Sequence, residues 1–574
     1  MSETYRPIRE LNVGDIDAFR SQLRQSILIC RERCLTLSAQ WATEILDGIT
    51  TKEEEQQQEE IPIISETTLI CTDYESSLPS LTEKEHCKYQ YARALFRMQQ
   101  YDNVAFILKD YTAPRLLFLR LYAKYLAAEK RKNERIQDMF DVISDNSHSK
   151  NVDELDTIYQ ELKQFQEDKL DAFNLYLYGM LLRKKELNDQ AATILLSSLK
   201  KYEYNWSAWM ELGALVTSKK QFHDLEQVLN ERMPKSIIKN FFFARRALEI
   251  NLSQETFWNF MTPLQFHFQN SIYVKSQLAT AYYDWFEYNE AEALFDQIRQ
   301  ENPCRLEDMD IYSNLLYLQG SRMKLSVLAH QCTRIDKYRP ETCCIVANYH
   351  SARGEIKESV EYFKRALALD RDYHLAWTLL GHDYIELKNM HSAIECYRRA
   401  IDVNSRDYRA WYGLGQAYEI LGLPFYATHY YQKTTELRPN DARMWKALGA
   451  CYALLQRDRE AIKWYKRAAE CDPEGKHRIM IQLARTYDKL GETNVAADYY
   501  RRALDRYVEE NQETEEIAEA GLFLARYHLE KSEWIEAEEY ATAALDYNFP
   551  YYEDGKSVLE EIRARRTYET INSS

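Results

Sequence analysis

Residues 410–419 read AWYGLGQAYE, and two incompatible folds compete for them. Gly413 and Gly415 are spaced like the opening of a G-x-G-x-x-G phosphate loop. Such a loop needs a buried strand before it, a third glycine at 418 and a helix starting within the motif. Position 418 is Tyr, and the preceding IDVNSRDYRAW (401–411) is no buried strand. The other reading makes Trp411, Leu414, Gly415 and Tyr418 the packed positions of one helix.

The surrounding sequence supports the helix. Trp377, Trp411 and Trp445 are separated by 34 and 34 residues. Each is followed by Leu-Gly and then Tyr: Leu380, Gly381 and Tyr384; Leu414, Gly415 and Tyr418; Leu448, Gly449 and Tyr452. Ala393, Ala427 and Ala461 follow in turn, then Tyr397, Tyr431 and Tyr465. This is the tetratricopeptide (TPR) pattern W-x2-L-G-x2-Y…A-x3-F…P at its period of 34. Trp, Leu and Tyr fall on one face of a first helix, and small Gly and Ala lie where a second, antiparallel helix approaches. Proline ends the second helix, as Pro439 and Pro473 would here. The expected fold is all-α, a superhelical solenoid of TPR helix-turn-helix repeats.

The frame continues outward. Six units of 34 tile 272–475 without insertion, the one at 306–339 being weak, and two further units follow one extra residue. Upstream, 91–109 and units beginning near Tyr178 and Trp209 repeat the pattern more faintly, and Phe-rich 240–271 reads as a degenerate repeat. We therefore expect an N-terminal helical segment (1–49), an acidic low-complexity linker (50–82) and a degenerate TPR array (83–271). A second array with a peptide-binding groove (272–551) and a C-terminal helix end with a polar tail (552–574), expected to fray after about 565, complete the chain. The linker contains TTKEEEQQQEE (50–60), which has no apolar residue to bury. SDNSHSKNVDE (144–154) reads as a surface loop.

Composition narrows the function. Only 15 Gly and 12 Pro occur in 574 residues, which fits helices joined by short connections. A net charge of −16 argues against a general nucleic-acid role and favours basic peptide partners. Eleven cysteines without a C-x-x-C pair read as reduced, buried thiols. No apolar run is long enough to cross a bilayer, and MSETYRPIRE lacks the apolar core of a signal peptide. No metal or cofactor is expected: His374, His382 and His350 have no carboxylate or cysteine to complete a ligand set, and no catalytic signature is present. No leftover stretch of catalytic-domain size lies outside the array. A co-chaperone groove would need clustered Lys, Arg and Asn, whereas the inner positions here carry carboxylates.

Two blocks go beyond repeat packing. RPETCCIVANYHSARGEIKESVEYFKRALALD (339–370) and NSRDYRAWYGLGQAYEIL (404–421) resemble the subunit-8, or cell division cycle protein 23, family of the anaphase-promoting complex. AWTLLGHDYIELKN (376–389) and PFYATHYYQKTTELRPND (424–441) continue the likeness, which extends more weakly to 23–46 and 91–109. The resemblance implies a non-catalytic subunit of a multi-subunit ubiquitin ligase acting in mitosis, in the nucleus and cytoplasm. It implies homodimerisation through the N-terminal repeats, contacts with other TPR and scaffold subunits, and a groove that takes the activator's C-box peptide. In such arrays, chosen positions of each first helix line the inner face. Here these are Asn314, Asn348, Thr378, His382, Glu386, Tyr412, Gln416 and Glu419. Their amides and carboxylates suit an extended peptide backbone and an Arg side chain.

Overall fold

The computed structural model describes residues 13–49, 81–138, 148–165, 170–472, 476–509, 515–546 and 551–572. All regular elements among them are helices. The linker segment 50–60, Pro473 and residues 144–147 of the expected loop lie outside the described residues. The chain divides into two compact units between Lys324 and Leu325.

In both units the helices come as short antiparallel pairs. The second unit holds Pro340–Ala352 with Ile356–Leu369, His374–Glu386 with Met390–Val403, Tyr408–Ile420 with Pro424–Leu437, and Ala442–Leu454 with Asp458–Cys471. Two more pairs and the helix Tyr551–Asn572 follow. The turn inside each pair has one recurring device. The second residue after the first helix takes a left-handed backbone conformation at Phe286, Gly320, Gly354, Lys388, Gly422 and Gln456, each 34 residues after the last, and then at Gly491. This conformation lets the next amide reach back to an orphan carbonyl of the last turn. Asn389 N–H donates to the Tyr384 carbonyl at 2.9 Å, Leu423 N–H to that of Tyr418 at 3.0 Å, and Arg457 N–H to that of Tyr452 at 3.0 Å.

The repeat residues pack as the spacing requires. A β-carbon at Gly381 would lie 2.6 Å from Tyr397, at Gly415 2.7 Å from Tyr431, and at Gly449 2.8 Å from Tyr465. These tyrosines come from the second helix of each pair, so glycine is what lets the ring seat against the backbone. Gly413, which repeat packing alone did not explain, faces Tyr397 of the preceding unit, where a β-carbon would come within 2.5 Å of the ring. Tyr397 is thus clasped between two successive first helices. The tryptophans fasten the connection before their own helix. Trp377 Nε1 donates to the Arg371 carbonyl at 2.9 Å, Trp411 Nε1 to Ser405 at 2.9 Å and Trp445 Nε1 to Pro439 at 2.8 Å. Trp209 Nε1 repeats the bond to Glu203 at 2.8 Å in the first unit.

The first unit has an element outside the 34-residue frame. Helices Val13–Glu32 and Thr36–Asp47 form a hairpin lying along the connections that lead into successive first helices. Trp41 stacks on Trp206 at 4.2 Å. Arg33 pairs with Asp171 at 2.8 Å, both side chains 1% exposed, and its guanidinium covers the Phe173 ring. Ser38 donates to Asn205 at 3.1 Å, and Arg305 pairs with Glu44 at 2.6 Å. Residues 13–49 are therefore built into the core of this unit. Because they join residues on both sides of 271/272, the compact division falls further along the chain.

Two sequence expectations need correction. A helix, His148–Lys163, occupies most of the expected loop at 144–154. Ile158 and Leu162 are buried and anchor this helix, which propagates back into the polar stretch. Likewise the polar tail after 565 is helical to Asn572, carried by the buried Val558, Leu559 and Ile562.

Candidate functional site

The eight residues expected on the inner face fall into distinct environments. Asn314 is buried in the first unit. In the second, Asn348 and Thr378 are buried, His382, Tyr412 and Glu419 are half-buried, and Glu386 and Gln416 are exposed.

Each half-buried residue is held by the second helix of its own pair or by the next connection. His382 Nδ1 and Tyr397 OH are hydrogen-bonded at 2.7 Å. Burial lowers the His382 pKa to about 4, against a smaller opposing effect of Asp407, so the imidazole is neutral near pH 7. Thr378 Oγ1 donates to Asp407 at 3.3 Å, and the Asp407 carboxylate also accepts the Arg409 amide at 3.1 Å. One unit further along, Tyr431 OH donates to Glu419 at 2.8 Å and the Tyr431 ring lies 5.4 Å from that of Tyr412. Burial, and then the Glu419 charge, raise the pKa of Tyr412 and that of Cys451, the latter to about 12. Since Gly413 packs on Tyr397, the His382 and Tyr412 layers are directly adjacent. The result is a polar face with a neutral imidazole, a positioned carboxylate at Glu419, a half-buried phenol and an exposed carboxylate at Glu386. It can accept hydrogen bonds from a peptide backbone and can pair a guanidinium.

Some contributors escaped the repeat template. Asp407 and Asp441 each precede a first helix and accept the amide two residues on, from Arg409 and Arg443, at 3.1 and 3.0 Å. The recurring D-x-R-x-W in RDYRAW and NDARMW was the signal for them. Asp383 was not foreseeable. It is 4% exposed, accepts from Ser351 Oγ at 3.1 Å, and burial raises its pKa to about 7.

Elsewhere, six of the ten described cysteines are buried, while Cys87 and Cys304 are exposed. Among the described residues no group of three His, Cys, Asp or Glu could hold a metal. No described helix is long and apolar enough to cross a membrane.

Stacked helix pairs with a polar inner face define a tetratricopeptide-repeat protein. Tetratricopeptide models match residues 340–373, 440–509 and 481–553, and the model "Anaphase promoting complex subunit 8 / Cdc23" matches residues 18–279. Anaphase-promoting complex subunit 8 of Arabidopsis thaliana is 39% identical over 96% of this chain and 97% of its own. The Dictyostelium discoideum subunit 8 is 36% identical over 95% and 97%, and subunit CDC23 of Saccharomyces cerevisiae 32% identical over 66% and 70%. The chain belongs to the anaphase-promoting complex subunit 8/Cdc23 family. Its fold is also that of the crystal structure of the APC/C hetero-tetramer Cut9-Hcn1, with a TM-score of 0.53 at 17% identity over 84% of this chain and 96% of that one.

Proposed function

We propose that this protein is a non-catalytic scaffold subunit of the anaphase-promoting complex, working in the nucleus and cytoplasm. It docks the activator's C-box peptide on the inner face of the second unit and homodimerises through its N-terminal repeats. Beside the other complex subunits, its partners are thus activators and a second copy of itself. The observation that carries the docking role is the Glu419 carboxylate held by Tyr431 beside Tyr412, with Glu386 exposed in the preceding pair. An activator arginine would meet a fixed negative charge there without having to order it first.

The test is binding of a labelled C-box peptide to the full chain. Glu386→Lys combined with Glu419→Lys should weaken it by about tenfold or more, with the remaining affinity less sensitive to salt. Unchanged affinity would remove the site from this face. The dimer is tested separately: light scattering at micromolar concentration should give twice the chain mass, and a monomer mass overturns that part.

A further inference from the structure

The second helix of the 442–471 pair departs from its counterparts in charge. At matching positions three of the other pairs carry an acid that neutralises a neighbouring cation: Glu361 pairs with Lys364 at 3.1 Å, Glu395 with Arg399 at 3.2 Å and Asp498 with Arg502 at 2.9 Å, while the pair just before carries His429. In the helix Asp458–Cys471 that position is Lys463. Arg459, Lys463, Lys466 and Arg467 form one exposed stripe at i, i+4, i+7 and i+8. Arg467 pairs with Glu470 at 2.8 Å, whereas no ion pair forms at Arg459, Lys463 or Lys466 among the described residues. Lys466 lies over the uncharged Tyr487 ring, at 5.6 Å. Three cations side by side without an ion-pair partner are unexpected in a chain of net charge −16.

These cations border an open recess of about 580 Å³ floored by Trp445 and Trp464, stacked at 5.4 Å and 13°. Trp445 spends its N–H on Pro439. Trp464 Nε1 is shielded from solvent and has no hydrogen-bond acceptor. The counterpart recess in the 374–403 pair is smaller, about 440 Å³, and Asp372 and Asp402 line it beside its arginines. One carboxylate, Glu470, lines the Trp464 recess and is paired with Arg467, which leaves Arg459, Lys463 and Lys466 beside it without an ion pair among the described residues.

We infer that the Trp445–Trp464 recess with Arg459, Lys463 and Lys466 is a docking site for an acidic peptide segment, distinct from the inner face around Glu419. A carboxylate or phosphate would pair with the ammonium groups of Lys463 and Lys466 and the guanidinium of Arg459, while an adjacent apolar side chain covers the stacked indoles. Glutamate-rich and phosphorylated segments offer this same chemistry.

The test uses the full chain and three labelled peptides of one sequence: a glutamate-rich form, a phosphoserine form and a neutral glutamine/serine form. Fluorescence anisotropy in low salt should show binding of one or both anionic peptides and not of the neutral one, with the stronger arm identifying the source of the charge. Lys463→Glu, which introduces the acid found at 361, 395 and 498, should reduce that affinity by about fivefold or more. Trp464→Tyr, the residue found at 430 and 499, should reduce it too, and neither should change the melting temperature or C-box binding. Unchanged affinity in both variants overturns the proposal. Equal binding of the neutral peptide does so as well, as does tighter binding of a single-stranded oligonucleotide of equal charge.

Discussion

Asp383 shows how a single residue sets a pH response. Its carboxyl is buried beneath the inner face, and loss of water raises its pKa from 3.8 to about 7, offset in part by Ser359 and Ser351 and reinforced by Glu386. The folded state thus holds more protons than the unfolded state between pH 3.8 and 7, and this contribution to stability is lost as pH rises through that window. His382 has the opposite sign. With its pKa lowered from 6.5 to about 4, the unfolded state holds the extra proton, and this contribution is gained as pH rises through 4 to 6.5. Asp383→Asn removes the first effect and leaves the second. Its melting temperature should exceed the wild type's by about 3 °C at pH 8, with the difference vanishing near pH 4. A pH-independent difference between the two melting curves would mean that the buried carboxyl does not titrate as described. The sequence marked His382 as a candidate inner-face residue, but not its neutrality, because that depends on burial.

At the scale of the element, the pair turn repeats more faithfully than the side chains that fill it. The left-handed residue recurs at Phe286, Gly320, Gly354, Lys388, Gly422 and Gln456, yet only three of these six are glycine. A residue with a β-carbon adopts this conformation at a cost of about 1 kcal/mol. Lys388, at φ 58°, is exposed and free to be tested. Lys388→Gly should stabilise the second unit by about 0.5–1 kcal/mol in urea unfolding, and Gly354→Ala should destabilise it by a similar amount. No gain for Lys388→Gly would show that unfolded-state freedom outweighs the relieved strain. The glycines themselves were the weak part of the sequence signal: the 34-residue frame located these turns, and glycine marked only some of them. For the same reason the helix at His148–Lys163 was missed, its apolar residues lying downstream of the polar stretch that was read as a loop.

At the scale of the whole molecule, the decisive element outside the repeat frame is the N-terminal hairpin. Arg33 and Asp171 are 138 residues apart and form an ion pair that is almost wholly buried. Arg33→Ala would leave the Asp171 charge buried without its partner and should cost the first unit about 3–5 kcal/mol. Hydrogen exchange should then show lost protection at Trp41, Trp206 and their helices, while residues 340–471 keep theirs. Loss of protection confined to residues 13–49 would instead make the hairpin an appendage. The sequence by itself determined the helix pairs and their period, because each follows from side chains recurring at fixed local spacing. Only the tertiary structure decided that residues 13–49 complete the first unit's core, that His382 is neutral, and that Lys463 stands without a counter-charge beside Trp464. Each of these depends on groups brought together across long stretches of chain or on solvent being excluded, and no local spacing encodes either.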